Sequence, residues 1–162
     1  MQDLPRSLKI TTVWLLLGLV LFVAVLAWQK QQEATRFSAV GGMIEIRRSA
    51  DGHYHWPAEL NGQKIDFLVD TGATGTAIPA ALAQRLGLRS QGAVQSQTAG
   101  GVVVGKVVVA DLALQGGVRA DKLRLVALPG LASPLLGMDV LGRLRWQQSD
   151  GRLRIEAGGA LR

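Results

Sequence analysis

From Ile10 to Trp28 the chain runs 19 residues without a charge, mostly Leu, Val, Ala and Phe. As a helix this stretch would be ~28 Å long, close to the hydrocarbon thickness of a bilayer. Trp14 and Trp28 stand near its ends, where aromatic rings favour the interface. It is longer than the ~7–15 apolar residues of a signal core, which predicts a retained transmembrane anchor over 10–28; Val25-Leu26-Ala27 would also pass as a cleavage site. Gly18 stands alone, so no small-residue face argues for helix pairing in the membrane. The tail 1–9 carries Arg6 and Lys9, and such a tail is expected to stay cytoplasmic with the remainder outside. Residues 29–42 are polar, end in Gly41-Gly42, and are expected as a linker.

After the linker, short apolar runs alternate with turn signals. Met43 to Arg47 alternates like a strand, Ala50-Asp51-Gly52 reads as a turn, and His53 to Leu60 as a second strand. Asn61-Gly62 is a two-residue hairpin signal, because both residues accept positive φ. Ile65 to Val69 follows as a third strand. Pro79 to Leu86 predicts a helix, with Pro near its start, Leu82 and Leu86 on one face, and Gly87 closing it. Val94–Thr98, Val102–Leu114 and Leu123–Leu128 read as strands, punctuated by Gly100-Gly101 and Gln115-Gly116-Gly117. Gly137–Leu144 reads as a second short helix. A hairpin about Ser149-Asp150-Gly151 closes the pattern. The expected fold class is all-β, mainly antiparallel, over a single domain of residues 43–158 with one or two short helices.

Composition sharpens this picture. Nineteen of the 20 glycines lie after residue 40, as short strands joined by tight turns require. The absence of cysteine excludes disulfides, thiolate zinc sites, iron–sulfur clusters and cysteine nucleophiles. The net charge is +6, but the basic residues are dispersed and no aromatic ladder interleaves with them, so no nucleic-acid partner is expected. The arginines near the C-terminus read as solvated strand faces, with attraction to acidic lipid headgroups as the minority reading. His53 and His55 share a strand face, yet no third ligand accompanies them, and no metal site is predicted. Trp56 and Trp146 read as core or interface residues.

The chemistry concentrates at Phe67-Leu68-Val69-Asp70-Thr71-Gly72-Ala73-Thr74. A β-branched apolar strand runs into a carboxylate, Gly72 permits a sharp turn, and the Thr71 hydroxyl can bond neighbouring backbone. Asp-Thr-Gly is also an ordinary turn sequence. Its flanks give the specificity. The stretch resembles the active-site loop of retropepsin-type aspartic proteases. Leu135-Leu136-Gly137 resembles the segment that passes beside that loop in the family and opens the C-terminal helix. Thr98-Ala99-Gly100-Gly101 resembles the tip of the flap that closes over substrate. The likeness covers Met43 to Glu156, and with the anchor it is similar to the membrane-anchored retropepsin-like proteases of bacteria. It implies a closed retropepsin-like β-barrel preceded by one transmembrane helix, a protease domain on the periplasmic side of the inner membrane, and Asp70 as the catalytic residue. Thr71, Gly72, Ala73 and Thr74 would support the loop. It implies no cofactor. Asp139 departs from the expected neutral residue and reads as a helix cap. Ile78 and Val102 to Val104 are candidate pocket walls.

Aspartic peptidases need two carboxylates about 3 Å apart sharing one proton, the established behaviour of the aspartic-protease dyad. Ten acidic residues follow residue 40, and only Asp70 stands in an Asp-Thr-Gly context. The chain therefore supplies half a site. The expectation is a two-fold homodimer that hydrolyses peptide bonds of a peptide or protein substrate, with one Asp70 from each subunit. The alternative is a non-catalytic, membrane-tethered module of the same fold that binds peptides or serves structurally.

Overall fold

The structure, a computed structural model, describes residues 6–34, 37–40, 42–98, 100–156 and 160–161, with side chains described for 10–25, 42–98 and 100–156. The chain divides into two units, residues 1–36 and 37–162.

The first unit is one helix, α1 (Arg6–Ala34, 29 residues). The side chains described within it, residues 10–25, are all exposed. Among the described residues no helix is long and apolar enough to cross a membrane. The span expected over 10–28 is therefore not among the helices that the structure shows to be membrane-crossing.

The expected linker over 29–42 is not one. Helix continues to Ala34 because neither Pro nor Gly interrupts it after Gly18. Strand β1 (Phe37–Val40) then pairs antiparallel with β2 (Met43–Arg47), with Val40 opposite Met43. Gly42, at φ of 83°, stands where this hairpin reverses, and Gly41 lies outside the described residues. Beyond β2, β11 (Arg152–Glu156) and β10 (Trp146–Ser149) complete a four-stranded sheet. Glu45 of β2 holds Arg152 at 3.1 Å and Arg154 at 3.2 Å across that sheet.

The second sheet contains β3 (His55–Leu60), β4 (Gln63–Val69), β5 (Ala77–Pro79), β6 (Gly92–Thr98), β7 (Gly101–Leu114), β8 (Val118–Leu128), β9 (Leu135–Leu136) and β12 (Ala160–Leu161). Its order runs β8-β5-β9-β4-β3-β7, and β7 pairs again with β8, so six strands close into a barrel. Closure pairs β7 with β8, edges that an open sheet would leave exposed. Most pairs are antiparallel, as expected. The exceptions are β4–β9, β5–β8 and β12–β8, which are parallel. Two short helices accompany the barrel, α2 (Ala80–Arg85) and α3 (Met138–Leu141). Both are shorter than their sequence patterns suggest.

The Asn61-Gly62 turn joins β3 to β4, with Asn61 at φ of 49°. Asn61 then ties the turn to an irregularity in β7. Its N–H donates to Asp111 O at 2.9 Å, and its Oδ1 receives the Asp111 N–H at 2.8 Å. Alternation along β3 and β4 sends Trp56, Leu60 and Phe67 inward, all without solvent contact. They meet Leu112, Leu125 and Leu136, while Ile44, Ile46, Leu153 and Ile155 of the four-stranded sheet join the same core. The Trp56 indole N–H donates to Gln115 O at 2.9 Å, so this large ring is buried without an orphaned donor.

Where β6 and β7 leave the barrel as a hairpin, Gly105 packs against β8. A Cβ there would lie 2.6 Å from Val126 Cγ1, 2.8 Å from Leu128 Cδ2 and 3.1 Å from Ala127 O. Gly105→Ala is therefore expected to destabilise the domain by about 1–3 kcal/mol, the usual cost of overpacking. Urea denaturation measures it, and an unchanged midpoint would mean that β8 yields freely to the added methyl.

Candidate active site

Strand β4 delivers Asp70 to the end of the barrel, where the backbone is held from both sides. The Val69 N–H donates to Tyr54 O at 2.9 Å, and the Asp70 N–H donates to Leu136 O at 3.0 Å. Leu68 and Val69 lie in parallel register with Leu135 and Leu136. The chain then turns on itself. The Ala73 N–H donates to Asp70 O at 3.3 Å, and the Gly72 N–H donates to the Asp70 carboxylate Oδ1 at 2.9 Å. A Cβ on Gly72 would stand 3.2 Å from that oxygen, so a side chain there would crowd the carboxylate. Asp70 is half-buried; Thr71, Gly72 and Thr74 are exposed, and Ala73 is half-buried.

Helix α3 meets this loop end-on. Its first N–H groups have no partner within the helix, and the loop supplies them. The Met138 N–H donates to Ala73 O at 2.8 Å, the Asp139 N–H to Thr74 O at 3.1 Å, and the Gly137 N–H to Thr76 Oγ1 at 3.2 Å. Such an approach leaves no room at Gly137. A Cβ there would lie 2.5 Å from Gly75 C, 2.6 Å from Gly75 O and 2.9 Å from Thr76 N.

Thr76 is the buried polar residue of this junction, at 1% exposure. Its hydroxyl accepts from Gly137 and donates to Asp139 Oδ1 at 2.7 Å. The same carboxylate oxygen receives the Val140 N–H at 3.0 Å. Asp139 is therefore a cross-link and not the N-cap, a position that Gly137 occupies without a side-chain bond. Sequence reading singled out Gly137 and missed Thr76. A lone hydroxyl just before the apolar pair Ala77-Ile78 was the available signal.

The structure thus brings Asp70, Thr71, Gly72, Ala73 and Thr74 together with Leu135, Leu136 and Gly137. Thr98, Gly100 and Gly101 lie apart from them in sequence and form the tip of the β6–β7 hairpin; Ala99 lies outside the described residues. Thr98 Oγ1 donates to Gly101 O at 2.8 Å, and Gly101 takes φ of 106°. Behind this tip Val102 and Val104 are exposed and Val103 is half-buried. Ile78 is not a pocket wall: it is wholly buried, because β5 is an interior strand of the barrel.

Among the described residues no hydrogen bond or ion pair links Asp70 to a second carboxylate. No group of three or more His, Asp or Glu among them could hold a metal ion. His53 is exposed, and its main-chain N–H donates to Asp51 Oδ1 at 3.0 Å. The half-buried His55 ring stands between two carboxylates, with Nε2 2.7 Å from Asp51 and Nδ1 3.3 Å from Asp66. The His53 backbone N–H, then the His55 imidazole, hold the Asp51 carboxyl below the usual carboxylate range.

Residues 56–140 match the family model described as aspartyl protease. The chain belongs to the aspartyl protease family. A crystal structure of a retropepsin-like aspartic protease from Rickettsia conorii is similar at 26% identity and a TM-score of 0.56, covering 74% of this chain and 93% of that one. The fold is accordingly retropepsin-like, mostly β with few helices and a closed six-stranded barrel. An uncharacterized protein of Rickettsia prowazekii (strain Madrid E) is 32% identical over 123 residues, 74% of this chain and 53% of that one. The chain thus spans about half the length of that curated relative.

The junction of loop and helix yields a prediction for this family member. Thr76→Val keeps the shape but leaves the Gly137 N–H and the Asp139 carboxylate without their partner, at an expected cost of about 1–3 kcal/mol. Gly137→Ala meets unyielding backbone, and its expected cost reaches or exceeds the ~3 kcal/mol upper end of ordinary overpacking. Thermal melting of both variants checks the ranking; a Gly137→Ala protein melting with wild type would refute the close pass.

Proposed function

We propose that this family member is an aspartic endopeptidase that works as a homodimer, each protomer contributing Asp70. The observation that carries the reading is the Asp70 loop itself. Its carboxylate is half-buried, steadied by the Gly72 N–H, and set on backbone pinned between Tyr54 and Leu136. A carboxylate so fixed is suited to hold or release a proton at a defined point, and binding a water between two such groups is the chemistry that peptide hydrolysis needs. Two protomers related by a two-fold axis supply both groups from one sequence. One carboxylate takes a proton from the water as it attacks the peptide carbon, while the protonated one donates to the carbonyl oxygen. Thr71 supports the loop in this reading, and the hairpin tip at Thr98–Gly101 closes over an extended peptide.

We further propose that residues 10–28 hold the chain in a membrane, with the protease domain outside the cytoplasm. Support comes from the uncharged sequence of that stretch and from apolar side chains exposed all round the helix over 10–25.

Asp70→Asn is expected to lower kcat/KM on a peptide library by a factor of about 10³ or more with unchanged circular dichroism. The shared site adds a stronger test. Mixing wild-type protein with an excess of Asp70→Asn should quench activity as mixed dimers form, and full retention of activity would sink the half-site reading. For the anchor, the full chain should stay with membranes through an alkaline carbonate wash, and release into the supernatant would exclude a spanning helix.

A further inference from the structure

A groove of about 800 Å³ lies on the barrel between β4, α2 and the segment leading to β9, and neither Asp70 nor the hairpin tip lines it. We propose that this groove takes up an extended, acidic polypeptide segment of a partner protein. The inference stands apart from peptide hydrolysis and does not depend on it.

The first observation is an interrupted seam in the barrel. Strand β4 pairs with β3 from Gln63 to Leu68, but with β9 only at Leu68 and Val69. The Leu68 N–H reaches Pro134 O at 2.9 Å, so residues of that parity turn their peptide groups away from β3. Lys64 has the same parity, and its peptide groups therefore face the side on which the groove lies. One wall of the groove is thus half a strand edge, the feature to which an extended peptide adds by main-chain bonding.

The floor suits such an occupant. Ile65, Leu82 and Leu86 line it with Pro134, offering apolar contact for alternate side chains of a strand. The charge comes next. Lys64 stands on the strand wall and Arg85 on the helix wall, both exposed, and neither enters an ion pair among the described residues. Glu59 lies opposite Lys64 in register but outside the groove lining. The one acid of the lining, Asp66, is engaged by His55 at 3.3 Å. Two cations therefore flank an apolar floor, and carboxylate side chains complement them.

The test uses the full chain carrying Asp70→Asn, which separates binding from cleavage. Fluorescein-labelled octapeptides of alternating valine and glutamate, or valine and lysine, are titrated against it by anisotropy. The expected result is binding of the glutamate peptide at least about tenfold tighter than the lysine peptide, with that order lost or reversed in Lys64→Glu/Arg85→Glu. Ala81→Trp, at an exposed position of the groove on α2, should weaken the glutamate peptide without a charge change. Equal affinity for the two peptides overturns the proposal. So does glutamate-peptide binding that survives both the charge reversal and the tryptophan.

Discussion

The fold depends on one close contact, the passage of Gly137 across Gly75 and Thr76. No side chain fits between these backbones. Because they touch, the first N–H groups of α3 find partners in Ala73 O, Thr74 O and Thr76 Oγ1, segments more than 60 residues away in the chain. A helix of four residues has little stability of its own. Here its N-terminus is completed by the very loop that carries Asp70, so helix and loop hold each other.

The same contact explains how a barrel can close through a strand of two residues. β9 is too short to be stable by pairing alone, yet it stands between β4 and β5. Leu136 is fully buried and its carbonyl receives the Asp70 N–H. Burial, main-chain bonding and the glycine contact therefore converge within three residues. The consequence on either side differs. Toward the loop, the seam is tight and Asp70 is fixed. Away from it, β4 loses its partner and borders an open groove.

Much of this was legible in local signals. Asn61-Gly62 makes the hairpin it announces, because its positive-φ requirement is intrinsic to those residues. Asp70-Thr71-Gly72 folds as a turn through an equally local bond, from the Gly72 N–H to the Asp70 carboxylate, and Gly137 marks a close approach. What was not legible depends on partners distant in sequence. Phe37–Val40 looked like linker because four residues carry too little pattern to reveal a strand that only β2 stabilises. The hydroxyl of Thr76 and the carboxylate of Asp139 gave no sign of each other across 63 positions. Ile78 looked like a pocket wall, since apolar character alone does not distinguish a lining residue from an interior one.

The sequence by itself determined the class of the domain, its turns and the loop that bears the carboxylate. These follow from backbone preferences and from alternation of apolar residues, which act over a few positions. The tertiary structure decided the parallel pairings of β4 with β9 and of β5 with β8, the link of Thr76 to Asp139, and the groove beside α2. Those arise only when the barrel closes, because each needs surfaces that the chain brings together from opposite ends of the domain.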